Sequence, residues 1–127
     1  MDQTDIRQIA SLEPDTFELL VSSQVLARMG GDHELLAEIS RLFVDDAPQH
    51  LERIRTAINA RDGDALRRAA HGLKGAAANF DAEGVVNAAR ALEEMGREGK
   101  FDDSEIAWKT VNTETERLIS VLRAVAH

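Results

Sequence analysis

Apolar residues recur at three- and four-residue intervals along most of this chain, and only two prolines, Pro14 and Pro48, stand among them. That spacing marks amphipathic helices, whose buried stripe repeats every 3.6 residues. Four Phe, one Trp and no Tyr point the same way, because the strands of a β-sandwich draw on aromatic side chains. A length of 127 residues is that of one ordinary domain.

Composition then removes several classes of function. With no cysteine, a disulfide scaffold, a thiolate metal centre and a Cys nucleophile are all excluded. A net charge of -8 argues against a general binder of nucleic acid or anionic membrane. No run approaches the roughly 18 apolar residues of a membrane span. The acidic start, MDQTDIRQIASLEPD, is unlike the basic and then apolar start of a secretory signal. We therefore expect a cytoplasmic protein, and a monomer, given its acidic charge and scarcity of surface apolar runs.

The spacing predicts an all-α fold: an antiparallel four-helix bundle with one or two additional N-terminal helices. Residues 1–14 read as a flexible lead-in and residues 15–127 as the bundle domain. Asp15 suits the N-cap of a first helix carrying Phe17, Leu20, Val21, Leu26 and Met29, which Gly30 and Gly31 end. Asp32 suits the cap of the next, with Leu35, Leu36, Ile39, Leu42 and Phe43 at helical spacing. Pro48 disfavours helix at Ala47, so a break or kink is expected there. Asp64 is expected to cap a helix from about Ala65 to Asn79, and a further helix is expected from about Ala82 to Gly96. Asp102, Asp103 and Ser104 offer caps for the last, where Trp108, Val111, Leu118, Leu122 and Val125 follow a bundle-seam spacing.

One helix breaks a local rule. The stretch DALRRAAHGLKGAAANF, residues 64–80, holds Gly72 and Gly75 inside a helical pattern, each costing about 1 kcal/mol relative to Ala. Wound at about 100° per residue, it places Leu66, Ala70, Leu73, Ala77 and Phe80 on a core face. His71 then points about 140° away, on an outer strip with Arg67, Lys74, Gly75 and Ala78. An exposed neutral imidazole is a nucleophile. A lysine one turn away suits a phosphoryl group formed on it. A glycine on the next turn removes bulk before an approaching partner. On periodicity alone, the strip is equally a solvated helix face with an incidental histidine.

The run His71-Gly-Leu-Lys-Gly-Ala-Ala-Ala-Asn79 resembles the H-x-L-K-G-[SA]-x-x-N signature of histidine-containing phosphotransfer (HPt) domains. The resemblance extends upstream to Gly30-Gly31-Asp32, Glu34-Leu35-Leu36 and Phe43, and downstream to Ala91-Leu92-Glu93 and Arg97-Glu98-Gly99. It implies a four-helix bundle whose exposed histidine carries a phosphoryl group between receiver-domain aspartates in a two-component phosphorelay. In that reading His71 is the phosphorylated residue, reacting at Nε2. Lys74 is the phosphate-side lysine, and Gly75 is the small residue that lets the receiver approach. Glu93 stands where the family places a Gln or Glu that hydrogen-bonds the ring. The chain would be a phosphoryl carrier and not an enzyme, with no cofactor or metal of its own, the magnesium belonging to the receiver. Two positions depart from the pattern: Gly72 stands where Ser or Thr is common, and Asp81 where the family often has Gly.

The partners implied are receiver domains of response regulators or a hybrid sensor histidine kinase, with no nucleic acid and no membrane. Arg61, Arg67, Arg68, Lys74, Arg90, Arg97 and Lys100 make a basic rim near the histidine, which suits an acidic receiver pocket. Arg67, Arg68, Ala78, Arg90 and Arg97 are the candidate partner-binding residues, although Arg97 also stands four residues from Glu93. Two other functions fit the fold: a helical adaptor that docks receivers without transfer, and the substrate domain of a chemotaxis-type histidine kinase. A free-standing protein and an excised piece of a hybrid kinase would read alike. Elsewhere, His33 reads as a solvated end residue and His127 as a terminal one. Asp46 and His50 at i,i+4 spacing form a pair too small to hold a metal.

Overall fold

The computed structural model describes residues 26–27 and 29–125. The proposed lead-in, and all but the end of the expected first helix, lie outside those residues. Leu26 and Ala27 are helical, and Leu26 and Met29 pack against the core. Gly30 and Gly31 then take φ of 70° and 80°, the left-handed conformation that glycine adopts without a Cβ clash.

Helix α1, His33–Ala60, begins where Asp32 accepts a hydrogen bond from the Leu35 amide at 3.0 Å. It buries Leu36, Ser40, Phe43, Ala47, Leu51, Ile54, Ala57 and Ile58, a stripe at intervals of three and four. Of the break or kink expected at Pro48, the break does not occur, and α1 runs through it. The proline is exposed while its neighbours Ala47 and Leu51 are buried. Packing along 28 residues thus outweighs the local cost of about 3 kcal/mol for an interior proline.

Arg61 closes α1 in the left-handed conformation, φ 52°, and the next helix starts at once. Its cap is Asp62, whose carboxylate accepts from the Ala65 amide at 3.0 Å, and not Asp64 as the sequence reading expects. Asp64 lies in the first turn of α2, Gly63–Ala78, and pairs with Arg67 and Arg68. Both aspartates precede the same apolar run, and backbone placement decides between them.

Helix α2 buries Leu66, Ala70, Leu73 and Ala77, and Phe80 just beyond is 1% exposed. Phe80 meets Phe43 of α1 edge to face, ring centroids 5.6 Å apart, an arrangement the ring quadrupoles favour. Asp81 takes φ 53°, so the aspartate adopts the turn conformation for which glycine is common. Helix α3, Glu83–Glu98, ends at Gly99 with φ 68°. Helix α4 is Ser104–Val125. Its buried seam includes Val111, Leu118 and Leu122 with Thr115 between them, wholly enclosed.

The helices form an antiparallel bundle in which α1 packs on α2 and α4, and α3 packs on α2 and α4. There is no strand among the described residues, and no described helix is long and apolar enough to cross a membrane. Across the α1–α4 seam, Arg55 grips Glu105 through two hydrogen bonds of 3.0 and 2.8 Å and covers the Trp108 ring. The backbones of α2 and α3 approach closely at Gly63 and Gly96. A Cβ on Gly63 would stand 2.5 Å from the Gly96 carbonyl oxygen, and one on Gly96 would stand 2.5 Å from that of Gly63. Two absent side chains let these backbones touch, which fixes how α3 lies along α2 and which of its residues faces His71.

Candidate functional site

The outer strip of α2 places the His71 ring in solvent, its side chain 67% exposed. Opposite it on α3, Glu93 is 7% exposed, an unusual position for a carboxylate unless it is paired. It has two partners from α2. Oε2 is 2.9 Å from His71 Nδ1, and Oε1 accepts from the Lys74 ammonium at 2.6 Å. Lys74 and His71 are three residues apart and so share one helix face, while Glu93 bridges them from the neighbouring helix.

Charge follows from that geometry. The Lys74 ammonium holds the Glu93 carboxyl below its ordinary range, burial opposes this, and the His71 hydrogen bond adds to it. The carboxylate is therefore ionised and can only accept. His71 Nδ1 must then carry the proton in the bond between them. In the neutral ring that leaves the Nε2 lone pair free, on the side of the imidazole away from Glu93. A buried anion thus selects the tautomer of an exposed histidine.

The other candidates divide into two groups. Arg97 joins the cluster: it pairs with Glu94, and its second guanidinium nitrogen lies 4.0 Å from Glu93 Oε2. Gly75 is exposed with open space where a Cβ would stand, and Ala78 is exposed at the end of α2. Arg67 and Arg68 pair with Asp64, and Arg90 hydrogen-bonds Asn87, so the bonds of these three run along their own helices. Arg61, counted with the basic rim, lies over the Phe101 ring at the α1–α2 turn.

Two relationships escaped the sequence reading. Lys74 spends its charge on Glu93 in the unphosphorylated protein, a pairing across 19 positions that no local spacing announces. The second involves His50 of α1, whose ring lies 3.4 Å from where a Cβ on Gly72 would stand. The missing side chain at position 72 leaves room for an imidazole from the neighbouring helix. Among the described residues, no group of three or more His, Asp or Glu is arranged to hold a metal ion.

The chain matches no curated protein and no solved structure. The family model of the Hpt domain, by contrast, matches residues 38–124, a span that takes in nearly all of α1, both helices of the His71–Glu93 cluster and nearly all of α4. With well over half of its length matched, on four antiparallel helices with an exposed histidine, the chain belongs to the Hpt domain family.

Proposed function

We propose that His71 is the phosphorylated residue of a phosphorelay intermediate, taking a phosphoryl group from the aspartate of one receiver domain and giving it to another. Hpt domains are phosphoryl carriers of two-component signalling, and this reading assigns that activity to one nitrogen atom. The observation that carries it is the hydrogen bond between His71 Nδ1 and the ionised, buried Glu93. It leaves Nε2 nucleophilic and outward on a ring that is mostly exposed.

The transfer balances without a group from elsewhere in this chain. The Nε2 lone pair forms a bond to the phosphorus of the receiver's aspartyl phosphate. The bond from phosphorus to the aspartyl oxygen breaks, and the receiver recovers its carboxylate. The reverse step hands the group on. Glu93 holds the ring in register throughout and stabilises the positive charge that develops on it, while the receiver contributes magnesium and most of the charge stabilisation at phosphorus. Open space at Gly75 lets the receiver's surface reach the ring. Lys74, shared with Glu93, stands one turn away to offset charge on the phosphoryl group. Arg67, Arg68, Ala78, Arg90 and Arg97 are the surface we assign to the partner.

The test is transfer from a labelled, aspartate-phosphorylated receiver with magnesium, run on the wild type and His71→Gln side by side. Label on the wild type alone, lost in acid and retained in base, identifies phosphohistidine at this position. Label that persists on His71→Gln refutes the assignment. Docking of receivers without transfer would instead indicate an adaptor.

A further inference from the structure

Two grooves run along the seam between α1 and α2, and a single side chain borders both. One, of about 790 Å³, has a floor of small residues that includes Ala57, Ala65 and Ala69, with Arg53 and Arg68 among its lining. The other, of about 430 Å³, is lined chiefly by apolar groups, Met29, Ile39, Leu42, Phe43, Ala76 and Phe80. His50 lines each of them. Its ring is half-buried and lies against the α2 backbone at Gly72, the residue that follows His71.

We propose that His50 is a specificity-determining contact for the receiver domain, the wall between two grooves that sort the partner's side chains. The inference rests on the reading of His71 as the transfer residue, and adds which part of the surface discriminates among partners.

The argument is one of reach. A receiver that transfers to Nε2 must touch His71, and even a small specific interface covers about 600 Å² on each side, a patch of about 14 Å radius. The His50 ring lies within about 9 Å of the His71 backbone, since it borders Gly72 and consecutive Cα atoms are 3.8 Å apart. A receiver patch of that size centred on His71 therefore takes in His50, and the concave surface there leaves room for the partner's side chains beside the imidazole. Burial and the nearby Arg53 lower the His50 pKa, against Asp46, which raises it, so the ring facing the partner is neutral at pH 7. A neutral imidazole donates at one nitrogen and accepts at the other, and can pair with a partner group of either kind. Arg68 is the charged side chain that α2 contributes to the lining they share.

The experiment measures transfer to and from a panel of receiver domains, each charged with acetyl phosphate and magnesium, using the wild type, His50→Ala and His50→Gln. The half-saturating receiver concentration should rise at least fivefold with His50→Ala for some receivers and change little for others, reordering the panel. His50→Gln, which keeps a polar group of similar reach, should recover part of the loss. The maximal transfer rate, the spontaneous hydrolysis of phosphohistidine and the melting temperature should stay within twofold or a few degrees of wild type. An equal change for every receiver, no change for any, or a parallel change in hydrolysis overturns the proposal while leaving His71 in place. Failure of every receiver to phosphorylate the wild type removes the reading of His71, and this one with it.

Discussion

The Lys74 ammonium and the His71 ring meet on one carboxylate, that of Glu93, 2.6 Å from the first and 2.9 Å from the second. One buried charge thus serves two groups, holding the lysine near the histidine and keeping the proton on Nδ1. The coupling makes stability, ring tautomer and reactivity respond together to a change at residue 93.

Glu93→Gln keeps the shape and removes the charge. The folded carboxyl is held low, so its contribution is present above the ordinary carboxylate pKa of about 4.3 and fades as the pH falls through the lower folded value. The variant should be about 1–2 kcal/mol less stable at pH 7, with that gap narrowing on acidification below about pH 4. Urea melts at pH 7 and pH 3.5 measure it, and a gap of equal size at both would show that the charge of Glu93 does not stabilise the fold.

Glycine substitutions should divide by position. Gly63→Ala and Gly96→Ala each drive a Cβ into a carbonyl oxygen 2.5 Å away. Either should cost more than about 2 kcal/mol and slow transfer by displacing Glu93 from His71. Gly75→Ala meets open space and should gain about 0.5–1 kcal/mol from helix propensity. Thermal melts of the three variants decide it. A stable Gly96→Ala protein with unimpaired transfer would contradict the close approach as the device that sets α3 on α2.

Pro48→Ala restores a backbone donor to the middle of a continuous helix. The exposed proline fills no core space, so the variant should be about 1–3 kcal/mol more stable. A lower melting temperature would mean that the ring supports a bend the bundle needs.

The caps make a paired comparison. Asp62→Ala removes the side-chain acceptor of the Ala65 amide and should cost about 1 kcal/mol. Asp64→Ala removes only exposed ion pairs with Arg67 and Arg68 and should cost clearly less than Asp62→Ala. Denaturant midpoints of the two variants measure the difference, and equal losses would return the cap to Asp64.

The sequence by itself determined the features that a helix computes locally. The intervals between Leu66, Ala70, Leu73 and Ala77 decide which face is buried, and so turn His71 outward before any other helix is placed. Gly30-Gly31-Asp32 and Gly99 mark ends because left-handed and capping conformations are local preferences. Where local signals compete, the sequence is less decisive. Asp62 and Asp64 both precede the same run, and Pro48 carries a local rule that packing along α1 overrides. The tertiary structure decided what depends on the placement of one helix against another. Gly63 and Gly96 touch because both lack side chains, which sets Glu93 against His71 and gives it Lys74. The antiparallel packing of α1 on α2 likewise brings His50 to Gly72. None of these pairings has a spacing that periodicity can read, because each is a distance between helices and not along one.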